Sequence, residues 1–324
     1  MPNSRALVVA IAFLTASVVG PVSANAQGYP TQPIKVIIPN PPGGPGDIIA
    51  RAFTEKATQI VGKPFVYDYR PGASTTLGTA SVVKSEPDGY TIVGFPSAGV
   101  GAAAIKKTLP YNLETDLRPI AGIGSVPLVL VVRAGLNFKS MDDFSAAVRR
   151  GDLTFGSAGI GTIGYFTSIL LINELQGKAT HVPFRGNPQT FQGVMGGHID
   201  FCIVSVADAV PFAESKEVQL LATTADQRRA DLPSTPTMKE VGLPNVNSKL
   251  WYAFLAPSKT PGDRVAQLYN AFAEAAKDPA LITQVKTLGF DVELRNPDEL
   301  AKMMKEEIAR WRKVVEVNNI PLEN

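Results

Sequence analysis

Short β-rich runs alternate along this chain with longer segments of helical periodicity, and no other feature constrains the fold as strongly. Residues 34–38 form an apolar-rich run closed by Pro39, and residues 48–61 carry a helical pattern ended by Gly62-Lys63-Pro64. A strand over 65–69, a helix over 77–84, the turn Pro87-Asp88-Gly89 and a strand over 90–95 follow. Further strands read at 126–132, 154–155, 181–184, 200–204 and 219–223, with helical segments between them. Such alternation predicts an α/β fold whose mostly parallel sheets are flanked by helices on both faces. One sheet is an awkward home for this many strands, so two lobes with a ligand cleft between them are the more economical arrangement. The chain is expected to cross near Gly122-Ile123-Gly124 and return near 248–255. Lobe 1 is then 27–124 with 248–324, and lobe 2 is 125–247. The C-terminal part is expected to pack on lobe 1, with a helix over 263–276 and a last helix opened by Asn296-Pro297-Asp298-Glu299. In that last helix Leu300, Met304, Ile308, Trp311 and Val315 make one apolar stripe, which reads as core packing.

The first 26 residues read as an export signal. Arg5 supplies a positive start, residues 6–20 are uncharged and apolar, and Ala24-Asn25-Ala26 offers small residues for cleavage before Gln27. The apolar run is too short to span a bilayer, so a periplasmic, secreted protein is expected. A net charge of +2, with no block of like charges, gives no footprint for nucleic acid or for a polybasic membrane contact. One Cys and two His fall short of a zinc site, so no metal and no cofactor are expected. The single Cys202, in an apolar run, reads as a buried small hydrophobe.

Two glycine-rich loops stand out. Asn40-Pro41-Pro42-Gly43-Gly44-Pro45-Gly46-Asp47 joins the first strand to its helix, at the carboxyl end of a strand where open α/β sheets bind ligands. Glycine allows close backbone approach, and the following helix N-terminus offers N–H groups and partial positive charge to a carboxylate or phosphate. A tight turn with Asp47 as a helix cap satisfies the same residues. Gly156-Ser157-Ala158-Gly159-Ile160-Gly161-Thr162 repeats the arrangement after the strand at 154–155. Gly159, Gly161 and Gly164 match a dinucleotide fingerprint, but no acidic residue closes the next strand, which reads His181-Val182-Pro183-Phe184-Arg185. Neither Ser97 nor Ser157 sits in a nucleophile elbow, because Phe95 and Phe155 occupy the glycine position. His181 and His198 have no local partner arrangement, and the paired acids Asp142-Asp143 and Asp298-Glu299 read as helix caps. The protein is expected not to be an enzyme.

With these residues in view the chain resembles the Bug family, the periplasmic solute-binding receptors of tripartite tricarboxylate transporters. The resemblance rests on Tyr29-Pro30, residues 33–39, Pro41-Pro42-Gly43-Gly44 and Asp47, and on Tyr69-Arg70-Pro71-Gly72-Ala73 and Pro87-Asp88-Gly89-Tyr90-Thr91. It continues through Leu109-Pro110-Tyr111, Gly156-Ser157-Ala158-Gly159, Gly161-Thr162, His181-Val182-Pro183-Phe184, Gly196-Gly197 and Asp200. Residues 233–237, Gly242-Leu243-Pro244 and Ile308-Ala309-Arg310-Trp311 complete it. The resemblance covers essentially the whole chain after the export segment.

It implies a two-lobed receptor that closes on a small carboxylate and delivers it to the small and large membrane subunits of a transporter. The implied ligand-binding residues are Pro42, Gly43, Gly44, Gly46, Asp47 and Ser97 from lobe 1. Ser157, Ala158, Gly159, Gly161, Thr162, Tyr165, Arg185, Val204 and Ser205 would join them from lobe 2. Where many relatives carry Asn, His and an Asp-Asn pair, this chain has Ile160, Tyr165 and Val204-Ser205. That favours a ligand with an aromatic or apolar body over an amino-acid or citrate-like one. A monomer is expected. The alternative from another class is a periplasmic binding partner of a two-component sensor.

Overall fold

A computed structural model describes residues 28–323. The chain begins with β1 (Ile34–Ile38), α1 (Pro45–Val61), β2 (Phe65–Tyr69), α2 (Thr76–Val83), β3 (Thr91–Pro96) and α3 (Ala98–Ile105). It continues through β4 (Leu117–Arg133), α4 (Met141–Arg150), β5 (Leu153–Ser157), α5 (Ile163–Glu174), β6 (Ala179–Pro183), α6 (Asn187–Met195), β7 (Phe201–Ser205), α7 (Val206–Ala209) and β8 (Val218–Thr223). Last come β9 (Lys249–Pro257), α8 (Gly262–Ala275), α9 (Pro279–Thr287) and α10 (Pro297–Val317).

The result is an α/β, two-lobed binding-protein fold. In one half of the sheet β2, β1 and β3 are parallel, and β9 joins antiparallel to β3. In the other half β6, β5 and β7 are parallel. The halves share the 17-residue strand β4, which pairs with β9 as far as Pro127↔Lys249 and with β7 from Leu128↔Ser205 onward, while β8 lies along its other edge. The sequence reading of 126–132 caught only the C-terminal part of this strand, which is buried from Ile120 to Val132.

One core cluster belongs to each half, a third runs through both from Ile37 and Phe95 to Phe144 and Phe201, and helices cover both faces. Ile34, Val36 and Ile38 of β1 pack against α1, with Phe254 stacked on Phe272 of α8 at 4.4 Å between ring centroids. On the other face the stripe from Leu300 to Val315 is buried, and Trp311 stacks on Phe166 of α5 at 5.1 Å. The last helix opens with a capping box, in which Asn296 accepts from the Glu299 amide and Glu299 from the Asn296 amide. Cys202 is buried in the core of the second half.

Candidate functional site

The carboxyl ends of both parallel strand sets converge, bringing together the loops that precede α1, α2, α3 and α5. In the first loop Gly43 takes φ +79°, a left-handed turn that suits glycine. Asp47, 3% exposed, closes that turn: its carboxylate accepts from the Gly43 amide at 2.8 Å, from Arg51 Nε at 2.9 Å and from the Tyr69 hydroxyl at 2.9 Å. Its acceptor capacity is spent on holding the loop, and Gly44 stands as the N-cap of α1 with Pro45 at the first helical position. Gly46 packs on the ring of Tyr252, a buried β9 residue whose hydroxyl pKa is pushed up, mainly by burial.

In the second loop Ser157 Oγ bonds His181 Nε2 at 2.8 Å and accepts from the Gly159 amide at 3.2 Å. Burial lowers the pKa of His181, which favours the neutral ring. Thr162 caps α5 by accepting from the Tyr165 amide and donating to the Gly159 carbonyl at 2.8 Å. The loop meets α3 at Gly101, where a Cβ would lie 2.2 Å from the Gly161 carbonyl oxygen. Only glycine permits that approach between the two halves.

Beside this contact lies a cavity of about 340 Å³, lined among others by Asn40, Pro41, Thr75, Ala98, Lys106 and Thr162. Three helices begin on it. Thr75 is the N-cap of α2, Ala98 the first residue of α3 and Thr162 the N-cap of α5. None of the three has an acidic residue in its first turn, whereas α1, α4, α8 and α10 all do. Three uncompensated positive helix ends therefore meet one hollow, which favours an anion there. Lys106 adds a cation without an ion pair among the described residues, and Glu323 lies on the same lining. The remaining walls, Pro39, Pro71, Ala102, Ile105 and Ile160, are apolar.

Of the residues expected from sequence, Gly161 and Thr162 line this cavity directly. Pro42, Gly43, Gly44, Gly46 and Asp47 build the loop whose Asn40 and Pro41 reach it, and Ala158 and Gly159 build the loop that carries Ile160. Ser97 caps α3 while tied to β9, its amide donating to the Trp251 carbonyl and its Oγ accepting from the Trp251 amide. Ser157 is occupied by His181. Tyr165, 6% exposed, is packed between Phe155, Phe166 and His181, and Val204, 2% exposed, lies in the core of the second half. The apolar walls come from other residues. Ser205 caps α7 and bonds Asp208, and Arg185 is exposed and makes no hydrogen bond or ion pair among the described residues. Asn40, Thr75, Ala98 and Lys106 had no signal in the sequence beyond the neighbourhood of Asn40 to the first loop.

A second hollow of about 460 Å³ lies between β9 and α10, beside Ser125, Lys249, Trp251 and Glu307. Its charges are largely matched internally: Lys249 pairs with Asp226 and Glu293, and Arg295 with Glu293. No group of three or more His, Cys, Asp or Glu side chains among the described residues could hold a metal ion.

A family model described as the tripartite tricarboxylate transporter family receptor matches residues 49–320. The protein BugT of Bordetella pertussis is 30% identical over 312 residues, covering 95% of each chain. MatC from Rhodopseudomonas palustris, solved with bound malate, superposes with a TM-score of 0.75 at 30% identity, over 89% of this chain and 100% of that one. R. palustris Rpa4515, solved with adipate, gives 0.79 at 26% identity, over 91% of this chain and 100% of that one.

Proposed function

The chain belongs to the tripartite tricarboxylate transporter receptor family, and from that premise we propose that it captures a small carboxylate in the interlobe cavity and delivers it to the small and large membrane subunits of a transporter. Proteins of this family are periplasmic solute-binding receptors and not enzymes. No helix among the described residues is long and apolar enough to cross a membrane, and the export segment expected over 1–26 lies outside them. The observation that carries the reading is the meeting of three helix N-termini, without first-turn acids, on one cavity with a lone lysine. Lobe 1 is proposed as 27–124 with 248–324 and lobe 2 as 125–247, and the receptor as a monomer.

The solute is a carboxylate with a partly apolar body. The helix ends and Lys106 suit its anionic head, and the proline, alanine and isoleucine walls suit the rest. That both malate and adipate occupy relatives supports a carboxylate of this size class. Thermal unfolding should be measured against mono-, di- and tricarboxylates, aromatic acids and nicotinamide-like amides. A true solute at about 100 times its dissociation constant adds about 2.7 kcal/mol to the unfolding free energy. A panel without any stabiliser rejects the reading.

A further inference from the structure

The loop between β2 and α2 holds four successive residues at positive φ: Gly72 at +131°, Ala73 at +48°, Ser74 at +53° and Thr75 at +74°. Glycine adopts such angles freely, whereas a β-branched residue at positive φ is an outlier that the surrounding structure must enforce. Here the enforcement is visible. The Thr76 amide donates to the Ala73 carbonyl at 3.2 Å, and the Thr79 amide and hydroxyl both donate to the Thr75 carbonyl, at 3.2 and 3.0 Å. Leu77 closes over Gly72.

Thr75 bears a second cost. It is 5% exposed, and its Oγ1 is buried without a hydrogen-bond partner. As the N-cap of α2 it could accept from that helix, yet its side chain makes no capping bond. Both costs fall on a residue that lines the 340 Å³ cavity, next to the uncompensated end of α2. Asn40, on the same cavity, also leaves its amide without a partner among the described residues. A glycine at 75 would relieve the backbone and remove the orphaned hydroxyl together.

We propose that Thr75 is a specificity-determining contact of the solute site, its Oγ–H donating to a carboxylate oxygen of the bound solute, with the Asn40 amide as a second donor to the same anionic head. The inference rests on the reading of this cavity as the solute site.

The test compares Thr75→Ser with Thr75→Ala, which share the backbone restriction and differ by one oxygen, using malate, adipate and benzoate as calorimetric probes. Serine should bind within about threefold of the natural protein, and alanine about 10- to 100-fold more weakly. Thr75→Gly should raise the melting temperature of the solute-free protein while weakening binding as alanine does, a combination that a merely structural threonine would not give. Equal affinities for the serine and alanine variants overturn the proposal and leave the cavity standing as the solute site. Failure of all three probes to bind the natural protein overturns both.

Discussion

Glu307 offers a quantity that can be worked from the structure. On α10 its two carboxylate oxygens each accept an indole N–H, one from Trp251 of β9 and one from Trp311 of its own helix at 3.2 Å. Burial raises its pKa from the ordinary 4.5 to about 6, against the opposing pull of the two indoles, Arg310 and Arg295. Because the folded value lies above the unfolded one, the folded protein binds this proton more tightly. The associated stability, about 2 kcal/mol, is fully present below pH 4.5 and lost as the pH rises past 6.

His181 acts the other way, since burial lowers its value from 6.5 and the unfolded chain binds more protons below that pH. The natural slope is therefore a partial cancellation, and the variant Glu307→Gln separates the two. Urea unfolding at half-unit steps from pH 4.5 to 7 should give profiles for natural protein and variant that diverge by about 2 kcal/mol across the interval, the natural protein losing more stability as the pH rises. Parallel profiles would refute the argument, because they would mean that the carboxylate titrates alike in the folded and unfolded chain.

Asp47→Ala removes the acceptor for the Gly43 amide, Arg51 and Tyr69 at once and should cost about 1.5–3 kcal/mol, read as a lower urea midpoint, with weaker solute binding because the first loop loses its anchor. Gly101→Ala puts a methyl group 2.2 Å from the Gly161 carbonyl and should lower stability by about 1–3 kcal/mol and weaken solute affinity by holding the halves apart, with calorimetry and small-angle scattering as the measurements. An unchanged affinity in the second variant would show that the contact at Gly161 does not set cavity closure.

Local pattern carried much of this architecture. The strand at 34–38, the helix ending at Gly62, the buried stripe of α10 and its opening at Asn296 all follow from residues that are neighbours in sequence. The first half of β4 did not. Residues 117–125 hold a proline and two glycines, and its pairing with β9 shifts register twice, between Pro119 and Ala121 and between Gly122 and Gly124, so no period-2 signal survives. Mostly parallel pairing was the expectation, and the parallel sets are present, but the long strands that join them are antiparallel because β9 returns from the second half. Within the site the glycine loops were legible as backbone features, while the side chains that line the cavity were not. Thr75 and Lys106 reach it only because α2 packs on β1 and β3 and α3 packs on α10, and Tyr165 turns inward because Phe155 and His181 stand on neighbouring strands. These are tertiary facts without a sequence period.

The same topology joins the two halves of the sheet through few points. Chain passes between the halves of the sheet at two places: within β4 at Pro127-Leu128 and into β9 at Ser248-Lys249. One buried hydroxyl joins the two, because Thr224 Oγ1 accepts from the Leu128 amide at 2.8 Å and donates to the Ser248 carbonyl at 2.6 Å. Any change in the angle between the halves must bend the chain at these points. Trp251 lies two residues beyond Lys249, bonded through its backbone to Ser97 at the start of α3 and through its indole to Glu307. The proton that Glu307 gains below pH 6 is therefore placed against the strand that runs from the crossing at Ser248 to the start of α3.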